Sequence, residues 1–373
     1  MQFIDLKKQQ SLIRDKIDLR IKKVLDHGKY IMGPEVIELE HKLSKYVGTQ
    51  HSISCSSGTD ALLIPLMAMG LKAGDAVITT PFTYIATAEV ISLIGATPVF
   101  CDIYKETYNL NPEKLQESYD YAISQNLKPK AIISVDLFGL PARYRIIEEF
   151  AKDKNLYILE DAAQGFGGNI RNKKAGSFGD VAGTSFFPAK PLGCYGDGGA
   201  IFTNNDLFAE KMKSIRVHGS GKDKYENIRV GLNGRLDSIQ AAIVLEKLEI
   251  FDEELKLRQK VAKYYTQNIH KIFTRPYIPV DYLSSWAQYS IILPEELERN
   301  FVIESLKKKG VPLMVYYKIP VHLQKGYEKY GYLRGDFPVS ELISKKIVSI
   351  PMHPYLDIKN KDKVINAINS LVS

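Results

Sequence analysis

From residue 76 to residue 203, short runs rich in Val, Ile and Phe alternate with segments whose apolar residues recur at helical spacing. That rhythm predicts an α/β fold, βα units stacked around a mostly parallel sheet. Residues 76–80, 97–103, 130–137, 156–161, 181–187 and 199–203 are the predicted strands, and 145–155, between two of them, is a predicted helix. Residues 10–25 and 60–69 also read as helices. This register puts Asp161 at the carboxyl end of one strand and Lys190 just past the end of another. In open α/β sheets that edge is where ligands bind.

Beyond residue 237 the texture changes. A polar helical stretch over 237–267, with an amphipathic helix near 255–269, leads into a strand at 287–293, a helix at 300–309, a strand at 312–316 and two further helices. The pattern predicts a large domain of residues 1–250, N-terminal segment included, and a smaller α+β domain of residues 251–373, with the long helix crossing their boundary.

Composition narrows the class. Of the 373 residues, 45% are hydrophobic and 25% charged, which suffices for a large core of ordinary globular kind. The uncharged stretch 90–101 is too short to span a bilayer and is broken by Gly95 and Pro98, and Met1-Gln2-Phe3-Ile4-Asp5 lacks an apolar signal core. A cytoplasmic protein without membrane contact is expected. The formal charge of +7 is interspersed with acids rather than gathered in a tract, which argues against a nucleic-acid partner and suits a small polyanionic ligand. Cys55, Cys101 and Cys194 are widely spaced, so neither a disulfide nor a metal site is expected.

The candidate chemistry gathers around Lys190. It ends the run Thr184-Ser185-Phe186-Phe187-Pro188-Ala189-Lys190, precedes Gly196-Asp197-Gly198-Gly199, and follows the acidic pair Glu160-Asp161. An amine that forms a Schiff base must be held rigidly and kept from being an ordinary solvated ammonium, and Phe186-Phe187-Pro188 suggests an apolar wall for it. A pyridine nitrogen serving as an electron sink needs a carboxylate partner, for which Asp161 is the candidate. Together these residues predict a pyridoxal 5'-phosphate site. Ser57-Gly58-Thr59 precedes the helix-like run at 60–69, so its backbone N–H groups and the Thr59 hydroxyl could hold the cofactor phosphate at a positive helix end. Gln164, one helical turn beyond Asp161, could reach the cofactor's phenolic oxygen. Each feature also has a plainer explanation: an exposed loop lysine, a helix cap, a turn. Their combination favours the cofactor.

In order and spacing, these motifs resemble the pyridoxal-phosphate-dependent nucleotide-sugar aminotransferases of the DegT/DnrJ/EryC1/StrS family, which have the type I, aspartate aminotransferase-like fold. The resemblance runs from Phe3-Ile4-Asp5-Leu6 through Gly28-Lys29-Tyr30-Ile31-Met32-Gly33-Pro34-Glu35-Val36, Ser56-Ser57-Gly58-Thr59-Asp60-Ala61-Leu62 and Glu160-Asp161-Ala162-Ala163-Gln164 to Ile350-Pro351-Met352-His353-Pro354. It implies that Lys190 bonds to the cofactor and later shuttles a proton, that Asp161 pairs with the ring nitrogen, that Ser185 adds a hydroxyl to the phosphate site and that Tyr84 stacks on the ring. Arg229-Val230-Gly231-Leu232-Asn233-Gly234-Arg235-Leu236 resembles a loop contributed by the neighbouring subunit, with Asn233 reaching the phosphate, which implies a homodimer with shared active sites. Tyr30, Arg229, Tyr316 and His322 are the candidate substrate contacts. Some relatives that act on a sugar acid carry histidine at the position of Tyr316, which weighs against a uronic acid substrate. His218, His322 and His353 show no metal spacing, and as lone histidines they read first as structural residues.

The activity implied is transfer of an amino group from L-glutamate, through pyridoxamine phosphate, to the ketone of a nucleotide-linked keto-sugar, for surface polysaccharide or glycan synthesis. The string from Phe186 to Gly199 looks most like members acting at carbon 3 of a UDP-linked sugar; a dTDP-linked or 4-keto sugar is the alternative. A sugar dehydratase of the family would have histidine in place of the Schiff-base lysine. A non-enzymatic regulator on the same fold would have lost Asp161, Lys190 or the phosphate loop, and all three are present.

Overall fold

Seven strands form the central sheet of the computed structural model, which describes residues 1–223 and 225–372. Helices α1 (Leu6–His27) and α2 (Pro34–Val47) lead into β1 (His51–Cys55) and α3 (Gly58–Ala68). There follow β2 (Asp75–Thr79), α4 (Ala86–Leu93), β3 (Thr97–Phe100), α5 (Leu115–Ser124), β4 (Lys128–Val135), α6 (Tyr144–Lys154) and β5 (Tyr157–Asp161). A short hairpin, β6 (Asn169–Ile170) and β7 (Lys173–Lys174), precedes β8 (Val181–Ser185), β9 (Gly199–Thr203), α7 (Asp206–Ile215) and α8 (Ser238–Asn268). The C-terminal part adds β10 (Tyr282–Leu283), β11 (Tyr289–Ile292), α9 (Arg299–Lys308), α10 (Pro338–Lys346), β12 (Ile347–Ile350) and α11 (Ile358–Asn369).

The sheet order is β1-β9-β8-β5-β4-β2-β3, and β9 alone runs against the rest. This is the mostly parallel α/β arrangement expected. Strand periodicity divides the core between the two faces: Val77, Ala131, Ile133 and Leu159 pack towards α3, α4 and α7, while their neighbours Ala76, Ile78, Ile132 and Ile158 pack towards α5 and α6. Because β1, β2, β4, β5 and β8 share one direction, Ser56, Thr80, Asp136, Asp161 and Ser185 reach the same edge of the sheet.

Two expectations need correction. Residues 312–316 form no strand: only Met314 bridges to Ser349, and one bridged residue does not extend the antiparallel pair of β11 and β12. The edge strand β1 was absent from the predicted set, since His51-Ser52-Ile53-Ser54-Cys55 is short and half polar.

Helix α8 belongs to two cores. Its first half (Ala241, Val244, Leu245, Phe251) packs with α2 and Phe202, and its second half (Val261, Ala262, Tyr265) packs with β11, α9 and α11. The C-terminal part is clasped back onto the sheet by buried Asp102, whose carboxylate accepts from the amides of Val339 (2.9 Å) and Ser340 (3.0 Å) and from the Ser340 hydroxyl (2.6 Å). Val321 adds a second tie, its amide donating to the carbonyl of Pro81 (2.8 Å). Replacing Asp102 by Ala leaves these buried donors unpaired and is expected to cost about 3 kcal/mol, read as a lower denaturant midpoint; an unchanged midpoint would show that the clasp contributes nothing.

Candidate active site

Lys190 and Asp161 face each other across the sheet edge. Asp161, the last residue of β5, is 6% exposed; one carboxylate oxygen accepts from the Thr87 hydroxyl (2.8 Å) and the other from the Ala163 amide (3.2 Å). Burial raises its pKa above the ordinary carboxylate range, opposed by Thr87, Ala163 and the positive charge of Lys190. Lys190 sits in the turn after β8, its amide donating to the carbonyl of Phe187 (2.9 Å). Burial lowers its pKa and Asp161 opposes the shift, so the amine sheds its proton more readily than a surface lysine. The expected apolar wall is only partly realised: Phe186 is buried, but Phe187 is 52% exposed because the chain turns outward after Ser185. Behind Lys190 lies a narrow cavity bounded by Asp5, Gln9, Arg258, His353 and Tyr355. The first and last family-like motifs therefore meet at this lysine.

A cradle forms where α3 starts. Ser57 caps the helix, its hydroxyl accepting from the Asp60 amide (3.0 Å), and the Ser56 hydroxyl donates to Asp60. The amides of Gly58 and Thr59 find no acceptor among the described residues and lie at the positive end of the helix. Ser185 packs against Gly58 so closely that a Cβ on Gly58 would stand 2.5 Å from the Ser185 Cβ. Ser185 thus packs directly on the first turn of α3, where the amides of Gly58 and Thr59 lack acceptors, an arrangement that suits an anion.

Between cradle and carboxylate stands an aromatic wall. Tyr84, on the loop after β2, is 56% exposed, with its ring 6.3 Å from that of Tyr317. Gln164 is buried; its side-chain carbonyl accepts from the Phe138 amide (2.9 Å) and its amide donates to the Tyr317 hydroxyl (3.1 Å). One of its two side-chain N–H groups is therefore already engaged. Sequence reasoning missed Thr87 and Tyr317. The four-residue spacing of Thr83 and Thr87, whose hydroxyls meet at 2.9 Å, was the available signal for the first; Tyr317 comes from the C-terminal part and carried none.

The remaining candidates are scattered. Tyr316 is half-buried beside Tyr317, near Phe3. Tyr30 lies between α1 and α2, its carbonyl accepting from the Ser238 amide (2.8 Å). Arg229 lines a surface cavity of about 450 Å³ with Met67, Leu71 and Ile215, at the opposite end of α3 from Gly58. Asn233 is exposed, and the carbonyl of its neighbour Gly234 accepts from the Ser56 amide (3.0 Å). His322 does not fit a direct substrate contact: it is 1% exposed, paired with Glu341 (3.1 Å) and packed against Phe337. Burial lowers its pKa, as for a structural histidine inside an aromatic cluster. Among the described residues no group of histidine, cysteine, aspartate or glutamate could hold a metal ion, and no helix is long and apolar enough to cross a membrane.

The edge fits pyridoxal phosphate: unpaired amides at a helix start packed against a serine with no room for a Cβ between, a buried carboxylate, and an amine of lowered pKa beside it. Comparison with known proteins agrees. Residues 11–369 match the model of the DegT/DnrJ/EryC1/StrS aminotransferase family. The chain is 48% identical over 358 residues to a UDP-2-acetamido-2-deoxy-3-oxo-D-glucuronate aminotransferase of Pseudomonas aeruginosa, covering 96% of each. A family aminotransferase structure from Brucella abortus has 46% identity and a TM-score of 0.96, covering 100% of this chain and 99% of that one. A Bacillus subtilis structure, NtdA with bound cofactor PMP, has 28% identity and a TM-score of 0.91, covering 100% and 85%. With the match spanning nearly the whole sequence and the fold superposing end to end, this chain belongs to the DegT/DnrJ/EryC1/StrS aminotransferase family and is a pyridoxal phosphate enzyme.

Proposed function

We propose that the enzyme moves the amino group of L-glutamate to the carbon-3 ketone of a UDP-linked keto-sugar, in the synthesis of a surface polysaccharide or glycan. The observation that carries the aminotransferase chemistry is the amine of lowered pKa at Lys190 opposite the buried carboxylate of Asp161. The name of the Pseudomonas relative supports the nucleotide and the position of the ketone; the resemblance of the motifs supports glutamate. That relative acts on a glucuronate, whereas Tyr316 stands here where some relatives using sugar acids have histidine. Mass spectrometry of products from UDP- and dTDP-linked 3-keto and 4-keto sugars, with and without a carboxylate, tests the assignment; a dTDP- or 4-keto preference overturns it.

Gly58, Thr59 and Ser185 would hold the cofactor's phosphate, Tyr84 would cover its ring, Gln164 would face its phenolic oxygen and Asp161 would keep its ring nitrogen protonated. When bound, the cofactor supplies an electron sink for the bond broken at the amine-bearing carbon. Lys190 would do the proton work: its Nζ, whose charge burial disfavours, would take the proton from the amine-bearing carbon and deliver it to the cofactor carbon on the other side of the nitrogen. One base that reaches both atoms suffices. Thr87 holds the Asp161 carboxylate in place, and the Tyr317 hydroxyl does the same for Gln164.

The homodimer belongs to this proposal. Ile228 and Val230 are exposed on the loop that ends at Asn233, which suits a partner surface. The Ser56–Gly234 hydrogen bond favours a second reading, in which Asn233 serves its own chain's cradle.

Lys190→Ala should lower turnover about 10³-fold or more with the fold intact, since covalent attachment and proton transfer both disappear; a variant keeping a tenth of the activity refutes the role. Asp161→Asn should slow both half-reactions, on the order of 100-fold, because a neutral partner cannot keep the ring nitrogen protonated. A normal rate of conversion to the pyridoxamine form by glutamate would reduce Asp161 to a helix cap. Mixing inactive Lys190→Ala chains with inactive Asn233→Asp chains should restore activity, because one site of each mixed dimer carries neither lesion. No recovery, with heterodimers seen by mass spectrometry, would favour the own-chain reading.

A further inference from the structure

Directly behind Asp161 the chain buries two more carboxyl groups. Glu160 precedes it on β5 and therefore points to the other face of the sheet, and Asp136 follows the end of β4, the neighbouring strand; neither has any exposed surface. Glu160 accepts from the amides of Gly176 (2.7 Å) and Phe178 (2.8 Å). Asp136 accepts through Oδ1 from the Ala142 amide (3.0 Å) and the Tyr144 hydroxyl (2.8 Å), and its own amide donates to the Asp161 carbonyl (3.1 Å). Oδ2 of Asp136 has no donor among the described residues, and Gly165 seals it so tightly that a Cβ there would stand 2.4 Å away.

Ser134 of β4 is the register partner of Glu160, so Asp136, two residues further on, lies on the same face of the sheet, diagonally beside Glu160. Among the described residues, Asp161 beside them, Tyr144 from α6 and Tyr282 from β10 act on or are acted on by the pair, and the arginines nearby, Arg143, Arg145 and Arg171, bear on Tyr282. Two ionised carboxylates at that range would repel strongly in a medium of low dielectric. One proton between them turns the repulsion into a charge-assisted hydrogen bond and gives Oδ2 its partner.

We propose that Asp136 and Glu160 share a single proton, and that this shared proton leaves Asp161 as the fully ionised carboxylate at the sheet edge. Burial acts in the required direction, pushing Asp136 up to about 7 and Glu160 well above the ordinary carboxylate range. With the proton held by the pair, Asp161 has one negative charge behind it rather than two. Asp136 and Glu160 are then positioning residues for the proton on the cofactor's ring nitrogen. The link to Asp161 rests on the role proposed for it above; the shared proton does not.

Infrared spectroscopy of the cofactor-free enzyme tests the pair. Wild type should show the carbonyl stretch of a buried, protonated carboxylic acid at about pH 6 and lose it only at a pH well above the ordinary carboxylate range, where the pair gives up its last proton. Asp136→Asn, whose amide replaces Oδ2 and can donate to Glu160, should lack that band at either pH. Because the folded pair binds a proton more tightly than the unfolded chain, its contribution to stability is full below the unfolded carboxylate range and is lost as pH rises from that range through the raised pKa of the folded pair. Wild type should accordingly lose more melting temperature than Asp136→Asn between about pH 5 and pH 8. In the cofactor-loaded enzyme, the visible band of wild type should show an inflection over the pH range in which the infrared band is lost, and Asp136→Asn should lack it. A wild-type spectrum with no protonated-acid band at about pH 6 overturns the shared proton even if the variant fails to fold, as does a band that persists in a folded variant. A band without the visible inflection overturns the link to Asp161, whereas normal half-reactions in Asp161→Asn would remove the role of Asp161 and leave the infrared result standing.

Discussion

A negative charge buried at the end of β5, with one cation in reach, sets the terms for the rest of the active site. Asp161 is pushed towards its neutral form by burial and Lys190 likewise, and each partly restores the other's charge. Neither can be removed without shifting the other, because in a region of low dielectric a charge answers to its few immediate neighbours rather than to solvent. The hydroxyl of Thr87 and the amide of Ala163 are therefore more than orienting contacts. They are the neutral dipoles that let a carboxylate exist there before any ligand arrives.

The sheet makes this possible by delivery. Five of its parallel strands end at one edge, so residues distant in sequence meet there without any loop having to be long. The C-terminal part closes the site from the side, through the Asp102 clasp and the Val321–Pro81 hydrogen bond, and brings Tyr317 to Gln164. An aromatic wall built from distant parts of the chain follows from that clasp.

How much of this was legible in the sequence depends on where each signal lives. The buried parallel strands, with their runs of Val, Ile and Phe, were readable, as were Lys190 and Asp161, whose neighbours in sequence carry the motif. The strand wrongly read at 312–316 shows the limit of β propensity: Pro312-Leu313-Met314-Val315-Tyr316 has suitable residues, but only Met314 finds a partner on β12. His322 stood in a suggestive segment, yet its fate was settled by Phe337 and Glu341, residues that no local pattern connects to it. Thr87 and Tyr317 fall in the same class. Their place beside Asp161 and Gln164 comes from tertiary packing, which a linear reading does not contain.

The contact between Gly58 and Ser185 has a consequence for how this fold can drift. A side chain at position 58 would meet Ser185 at 2.5 Å, so the absence of a Cβ on α3 and the small hydroxyl on β8 form one unit shared between two helix-sheet layers. Neither position is free to vary alone: enlarging the first fills the cradle, and enlarging the second pushes the first turn of α3 away from the sheet. Both changes would act on the inside of the molecule and leave its outer surface as it is. On this scaffold, then, the capacity to hold a phosphate could be lost through one methyl group while every surface that another macromolecule might recognise is kept.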